Sequence, residues 1–532
     1  MSEDVLKRDR TAGRDRIILI GMFVVYAVLT LIGALNHEVW FDEAQAWNIA
    51  RDNDIPGIIA QMAHEGHPFL WFFILHLFAV MGFTVDIIPV ISWFITSVTV
   101  ALILWKAPFK PLMKGVIIFS GGFLFYWSVT SRPYCLAVLF LVLLAMAYPK
   151  RQERPVVFGL LVGLLANTHI MMCGLVGMLG IYMIIDLFKL WKSSSMKANI
   201  MRLIGLAVAG IGVLVLVIPL LGSFKSVNVG NERELNPSMI AQLIYMGFQD
   251  TSCQMLFDSR MDILPSVVSY IITMLFGVVF ILLMILLRHY RRPFFMQLLF
   301  TVFYIVTSEV LWFSLPVRAF IYLFGFVFCY WIAQSEQPVF RTPKPLDEKL
   351  SKPLRKAVEL LRKADSSFKR SYLALLFIYY VAAIPAGAVL LFSDYTQDFS
   401  QSKKAAEFIS SELPEDSVIV VTTEIFSQYT AYIPEARFYS INYNQFLSYM
   451  FQTKPEKAEY VKKTEDIDFR RVYEDLKDYE HIYILDFSES PVHGYYEPVY
   501  SSSGSLLGSG NPSDDRISIF PYDVEIEAKP YF

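Results

Sequence analysis

NHEVWFDEAQAWNIARDNDIPGIIAQMAHEGHPFLW, residues 36–71, follows one long apolar run and precedes many others. It holds two adjacent carboxylates, Asp42 and Glu43, and a Glu-Gly-His-Pro turn from Glu65 to Pro68. Acidic and imidazole groups beside a membrane are costly to hold there, which marks the stretch as functional. Outward from it, long runs with few charges recur from Ile17 to Phe392, the pattern of repeated membrane spans. Of the 532 residues, 55% are hydrophobic and 15% aromatic, and the mean hydropathy is +0.45. A soluble domain with an ordinary charged surface is excluded. The net charge of -3 gives no basic field for nucleic acid. The cysteines, Cys135, Cys173, Cys253 and Cys329, form no CxxC pair, so a structural zinc site or disulfide framework is not expected.

The first span, 17–35, is preceded by basic residues from Lys7 to Arg16, which predicts a cytoplasmic N-terminus over 1–16. No small-residue cleavage signal follows, so the run reads as a retained signal anchor. Residues 36–86 then form an outer loop. Its tail, Pro68 to Phe83, is apolar but short, and is expected to lie in the outer interface without crossing. Further spans are expected near 87–105, 115–130, 133–148, 156–170, 172–188, 203–221, 264–287, 294–312, 318–334 and 372–393, about 11 in all. The loops this places inside hold most of the 46 Lys and Arg. The outer loops among the spans hold only Arg51, Arg132, Lys225, Arg233, Arg260 and Arg318. That asymmetry is the positive-inside pattern, and residues 17–393 read as one polytopic α-helical membrane domain.

The inner loop 335–370 reads as a topogenic basic loop with a surface helix over 353–364. The outer loop 222–262 carries an expected short helix near 237–247. Beyond the last span the composition turns polar, and 394–532 reads as a small extracytoplasmic α/β domain. Helices over 401–412, 424–431 and 468–478 alternate there with strands over 417–421, 438–441, 482–487 and 517–520. The Gly-rich segment 501–512 joins no strand to a helix and reads as a surface loop.

On this topology Asp42, Glu43, Glu65 and His67 lie outside. Arg132 in SRPY and His169 in ANTHIMM sit in outer turns. Glu309 is near the outer end of its span, and Arg318, in SLPVRAF, opens the next from the same side. Carboxylates, imidazoles and guanidiniums are thus delivered to one membrane face, as a site fed from the lipid requires. Carboxylates can deprotonate a hydroxyl and aim it at an anomeric carbon. Arginines with a histidine can hold a leaving phosphate. Phosphate is already a fair leaving group, which argues against a hydrolase with two opposed carboxylates. Each residue also has a plainer reading. Asp42 with Gln45 fits a helix N-cap box, and Glu43 a first-turn charge. His67 fits a headgroup turn, Arg132 and Arg318 fit snorkelling to lipid phosphates, and His169 fits an interfacial histidine. Tyr134, with Tyr126 and Trp127, fits an aromatic belt. His76 and Asp186 read as structural.

In order, the chain shows a first span, then FDEAQAW, GHPFLWFFILHLF, SRPYCLAVLFLVLLAMAY and NTHIMMCGLVGMLGIYMI. This series resembles the bacterial branch of the protein O-mannosyltransferase superfamily, family 39, of the GT-C fold; the lipid A aminoarabinose transferases and eukaryotic protein mannosyltransferases are relatives. The match is best over residues 30–185. The resemblance implies an inverting glycosyltransferase of a bacterial cytoplasmic membrane. Its donor would be a polyprenyl-phosphate sugar, and its acceptor an envelope glycan, lipid or protein outside the cytoplasm. It implies Asp42 as catalytic base, with Glu43 beside it in the same acidic motif. It implies His67 and Arg132, and Arg318 at a late span start, as ligands of the donor phosphate. Glu65, Tyr134, His169 and Glu309 are supporting candidates. No cofactor is expected, and no ligand set for a divalent metal is evident. Membrane lipids are the other expected partners, and nucleic acid is not one. The sequence departs from the family pattern at Phe69, where a second proline is usual. It departs again before the next span, where Asp86 and Pro89 stand in place of an arginine-proline. Two other classes stay open. A transporter or flippase for a lipid-linked sugar would favour ionisable residues near the midplane. A non-catalytic scaffold would use the outer domain to bind a glycan.

Overall fold

The first apolar run folds, in this computed structural model, as α1 (Glu3–Asn36). The structure describes residues 3–65, 67–226, 266–306, 316–338, 353, 356, 359–360, 367–422, 426–450, 469–487, 497–502 and 517–524. The polar stretch after α1 forms α2 (Phe41–Asp52), α3 (Ile55–Glu65) and the start of α4 (Phe69–Val80). Then come α5 (Ile87–Lys106), α6 (Pro111–Ile118), a π-turn over Gly122–Tyr126, α7 (Tyr134–Ala147) and α8 (Pro155–Ala166). They are followed by α9 (Cys173–Leu190), α10 (Met196–Ser226), α11 (Ser266–Leu287) and α12 (Arg291–Ile305). The helical part closes with α13 (Pro316–Ala333), α14 (Phe368–Ala382) and α15 (Ile384–Thr396).

Among the described residues, 5 helical stretches are long and apolar enough to cross a membrane: Gly13–Asn36, Ile87–Lys106, Ile170–Leu190, Met196–Pro219 and Phe368–Thr396. Several shorter apolar helices pack among them. Their outward faces stay apolar, with Ile17 73% and Phe188 74% exposed, because lipid takes the place of water there. Helix α4 has 12 residues and spans about 18 Å at about 1.5 Å per residue. That is short of the hydrocarbon core of about 30 Å, as is α8, which also has 12 residues. Gly82, in the left-handed region at φ 84°, ends α4.

Two of the expected spans are not single helices. The run 115–130 breaks after α6 and continues as the π-turn. The run 372–393 breaks at Ala383, where Pro385 suits the first turn of a new helix and not the interior of an old one. The breaks face each other. The Gly121 N–H donates to the Ala383 carbonyl at 3.2 Å, and a Cβ on Gly387 would collide with the Gly121 backbone. Each break supplies the backbone partner that the other lacks. The short helix expected over 237–247, Glu309, and all but a few residues of 353–364 lie outside the described residues.

A second glycine contact joins α8 to α10. A Cβ on Gly159 would collide with the Gly205 carbonyl, and one on Gly212 with Gly163. Gly159 and Gly163 are spaced as GxxxG, which lets helix backbones touch where lipid offers no hydrophobic drive.

Beyond α15 the chain forms α16 (Ser402–Glu412), β1 (Val418–Val421), α17 (Ser427–Thr430), β2 (Arg437–Ser440) and β3 (Gln445–Phe446). The last described elements are α18 (Phe469–Leu476), β4 (Ile482–Phe487), β5 (Tyr500–Ser501) and β6 (Ile517–Pro521). The strands make one sheet in the order β3-β2-β1-β4-β6-β5. Strand β1 runs parallel to both β2 and β4, and the other pairs are antiparallel. Period-two alternation sends Ile419 and Val421 to the face covered by Ala405 and Ile409 of α16. Val418 and Val420 face Val472 and Leu476 of α18. Both faces are covered, which is why β1 reads as an unbroken apolar run. Only the edge of segment 501–512 is described, as the end of β5.

Replacing Gly159 by Leu is expected to force α8 and α10 apart and to remove most of the folded protein. Size-exclusion profiles of detergent extracts check this; a monodisperse peak at wild-type yield would contradict the packing.

Candidate functional site

Helix α2 starts after Trp40, which is extended at φ -107° and ψ 178°. Asp42 is therefore in the first turn and not at the cap. Capping falls partly to Glu43, whose carboxylate accepts the Trp40 N–H at 3.2 Å. Successive helical residues point about 100° apart, so the two acids of the pair face different surroundings. The Asp42 side chain is 31% exposed, and that of Glu43 is 0% exposed.

Asp42 meets the SRPY turn. Arg132 Nη1 lies 2.8 Å from Asp42 Oδ2, and Arg132 Nη2 donates to His67 Nε2 at 3.1 Å. A guanidinium only donates, so His67 Nε2 is bare and its proton is on Nδ1. The Nδ1–H donates to the Glu65 carbonyl at 2.9 Å. Burial, reinforced by the Arg132 charge, lowers the His67 pKa to about 3. His169 Nδ1 accepts the Met171 N–H at 3.2 Å. Burial, with His67 and the two guanidiniums Arg318 and Arg132, holds it well below the usual histidine range. The two imidazole rings meet edge to face at 5.5 Å. Tyr134 stacks on His169 at 4.9 Å, and its hydroxyl accepts from Arg318 Nε at 3.2 Å. The structure thus joins Asp42, Arg132, His67, His169, Tyr134 and Arg318 in one contiguous array. They arrive from α2, the turn before α4, and the starts of α7, α9 and α13.

A cavity of about 140 Å³ opens on Asp42, Gln45, Glu65, His67 and Arg132, with Phe41, Trp71 and Phe72 as its apolar wall. It is smaller than the pockets of about 300–1,000 Å³ that take drug-sized ligands, so it suits a headgroup. Glu65 projects into it, held by Gln45 Nε2 at 3.0 Å. Burial raises the Glu65 pKa to about 7; the Gln45 hydrogen bond opposes the rise and Asp42 adds to it. Gln45 itself is fixed from the sheet domain. Its Nε2 also donates to the Met450 carbonyl at 2.9 Å, and its Oε1 accepts the Met450 N–H at 3.0 Å and the Ser427 hydroxyl at 2.5 Å.

Glu43 is turned away from this cavity. One carboxylate oxygen accepts the Ser131 N–H, and the other lies 3.3 Å from His37 Nε2. His37 Nδ1 lies 3.2 Å from Asp394 Oδ1 at the end of α15. Burial pulls the His37 pKa down, but Asp394 and Glu43 outweigh it and hold it up at about 10. His37 and Asp394 carry no local motif, and only the fold brings these residues, 357 apart, together. His76 Nδ1 donates to the Ala50 carbonyl at 2.7 Å and ties α4 to α2. Asp186 serves the opposite end of the helices, where Arg292 and Arg151 hold it. Among the described residues, no cluster of His, Cys, Asp and Glu could hold a metal ion.

No family model matches the chain, and no curated protein does. Among solved structures the chain is similar to "ArnT from Cupriavidus metallidurans bound to Undecaprenyl phosphate". The identity is 13% and the TM-score 0.45, with 94% of this chain and 97% of that chain covered.

The raised pKa of Glu65 makes the stability of the fold depend on pH. In the unfolded chain its carboxyl ionises near 4.5; folded, it holds the proton up to about 7. The stabilisation from that proton is full below pH 4.5 and is lost as pH rises through 7. Glu65→Gln keeps the acceptor for Gln45 and never ionises. It is expected to raise the melting temperature by a few degrees at about pH 8 and leave it unchanged at about pH 4. Scanning fluorimetry at both pH values checks this, and equal melting of the two proteins at both would contradict it.

Proposed function

We propose that the chain is an inverting glycosyltransferase of GT-C type that uses a polyprenyl-phosphate sugar. It would act at the outer face of a bacterial cytoplasmic membrane, with the N-terminus inside and the region from 394 outside. The observation that carries this is the Asp42–Arg132–His67 array beside a small cavity with one apolar wall. A carboxylate is set next to a guanidinium whose fork is shared with an uncharged imidazole. Such a fork matches phosphate oxygens, and an apolar wall suits the lipid that carries the phosphate.

In the reaction, the Asp42 carboxylate accepts the proton of an acceptor hydroxyl. The oxygen bonds to the anomeric carbon as the bond from that carbon to the phosphate oxygen breaks. Both electrons of the broken bond leave with the polyprenyl phosphate. One displacement without a covalent intermediate inverts the anomeric centre. Arg132 and Arg318 stabilise the phosphate as its charge grows, and His67 orients the Arg132 guanidinium through its bare Nε2. An incoming phosphate competes for the Arg132 fork and loosens its hold on Asp42. Donor binding thereby readies the base. A transporter would place its ionisable groups near mid-span, whereas Asp42, His67, Arg132, Tyr134, His169 and Arg318 sit at helix starts and turns. The acceptor is an envelope glycan, lipid or protein.

Asp42→Asn keeps the shape and removes the base. Transfer is expected to fall at least about 100-fold, with folded protein undiminished. Mass spectrometry of envelope glycans from cells with matched protein levels tests it. Loss of one sugar from one glycan would name donor and acceptor together; an unchanged glycan profile would overturn the assignment.

A further inference from the structure

The end of the first membrane helix and the end of the last meet at an imidazole that the transfer chemistry does not use. His37 follows α1 directly, and its N–H donates to the Gly33 carbonyl at 2.9 Å. Its side chain is fully buried, as are those of Glu43 and Asp394. Phe399, at 4.4 Å between ring centres, and Phe125, at 6.4 Å, enclose the ring. Each ring nitrogen faces a carboxylate, at 3.3 Å and 3.2 Å, so both nitrogens carry hydrogen and the ring is a cation between two anions.

What Glu43 then does with its oxygens is specific. One receives the N–H of Ser131, the residue before Arg132. The other receives the N–H of Trp40, two residues before Asp42, at 3.2 Å. A single carboxylate thus ties the backbone on both sides of the Asp42–Arg132 pair. Removing the cation would leave two buried carboxylates facing each other, which is strongly unfavourable. One of them would take up a proton or turn away, and the tie would loosen.

We propose that His37 is a positioning residue for the Asp42–Arg132 pair, acting through Glu43, with Asp394 fixing the imidazole from the last membrane helix. This rests on the glycosyl-transfer assignment only for its ligand readout; its backbone readout stands on geometry alone.

The experiment uses the full-length chain in lipid nanodiscs, as wild type, His37→Gln, Asp394→Asn and Arg132→Gln. Hydrogen–deuterium exchange is followed by mass spectrometry, and binding is measured with a polyprenyl monophosphate that carries no sugar. In His37→Gln, peptides over 40–43 and 129–134 are expected to exchange at least about tenfold faster than in wild type, with the β1 and β4 peptides unchanged. Asp394→Asn leaves an acceptor for the ring and gives a smaller rise at the same peptides. It also keeps the test decisive if His37→Gln does not fold. Affinity for the polyprenyl monophosphate is expected to fall about tenfold or more in His37→Gln, as in Arg132→Gln. Unchanged exchange at 129–134 in both variants overturns the positioning role. Faster exchange with wild-type affinity, in a protein whose Arg132→Gln form loses binding, overturns the link to Arg132. A wild type that binds no polyprenyl monophosphate overturns the transferase assignment, and the exchange pattern still decides the role of His37.

Discussion

A carboxylate buried where helices leave the membrane must be fully partnered, because taking its charge out of water costs several kcal/mol or more. Glu43 is partnered on every side: by the His37 imidazolium, the Ser131 N–H and the Trp40 N–H. Those partners belong to the end of α1, the entry to α2 and the turn before α7, and Asp394 brings in the end of α15. Three stretches distant in sequence, 37–43, the turn at Ser131 and the end of α15, converge on one buried cluster of charges. The geometry that satisfies it also sets the spacing between Asp42 and Arg132.

Helical phase then divides the acidic pair between two tasks. Neighbouring residues on α2 diverge by about 100°, so a carboxylate spent on the protein interior leaves its neighbour at the cavity. Arg132 completes the division. Its guanidinium cannot lose its charge, so His67 has to present a bare nitrogen to it, and the Glu65 carbonyl takes the remaining proton. The tautomer and ring orientation of His67 follow from that one donor, while burial, reinforced by the Arg132 charge, lowers its pKa. Under the proposed transfer, groups held in this way by their own hydrogen bonds are what electrostatic stabilisation of a leaving phosphate needs.

Much of this was legible in the sequence where a signal is local. Apolar runs gave α5 and α9 close to their bounds and α1 at its C-terminal end, and short apolar stretches gave β1, β4 and β6. Span-end arginines and histidines pointed to one end of the helices, and Arg132, His67, His169 and Arg318 do assemble there. Contacts made only by folding were not legible. Residues 115–130 have the composition of an unbroken span, and the break in them packs against Gly387, which lies far away in the chain. The GxxxG of Gly159 and Gly163 was readable in principle, but its partner helix was not. The His37–Asp394 contact spans 357 positions; Asp394 had looked like a domain boundary. Adjacency in DE suggested a shared role for Asp42 and Glu43, because a linear motif hides the turn of the helix.

Rigidity reaches the cavity from two further directions. At the opposite end of the helices, Asp186 receives Arg292 Nη1 at 3.0 Å and Arg151 Nε at 3.3 Å. Glu336 receives the Tyr148 hydroxyl at 2.8 Å. These bonds join the ends of α7, α9 and α13 to the start of α12, so those helices cannot splay independently. From the sheet side, Gln45 places four hydrogen bonds between α2, Glu65, Ser427 and Met450. Asn48 adds donations to the Ser427 and Ser448 carbonyls at 2.9 Å. Each such bond contributes about 1 kcal/mol net, and leaving a buried partner unmade costs about 1–3 kcal/mol. The sheet domain is therefore part of the cavity wall and not a pendant module, because Glu65 is aimed by an amide whose remaining bonds all end on that domain.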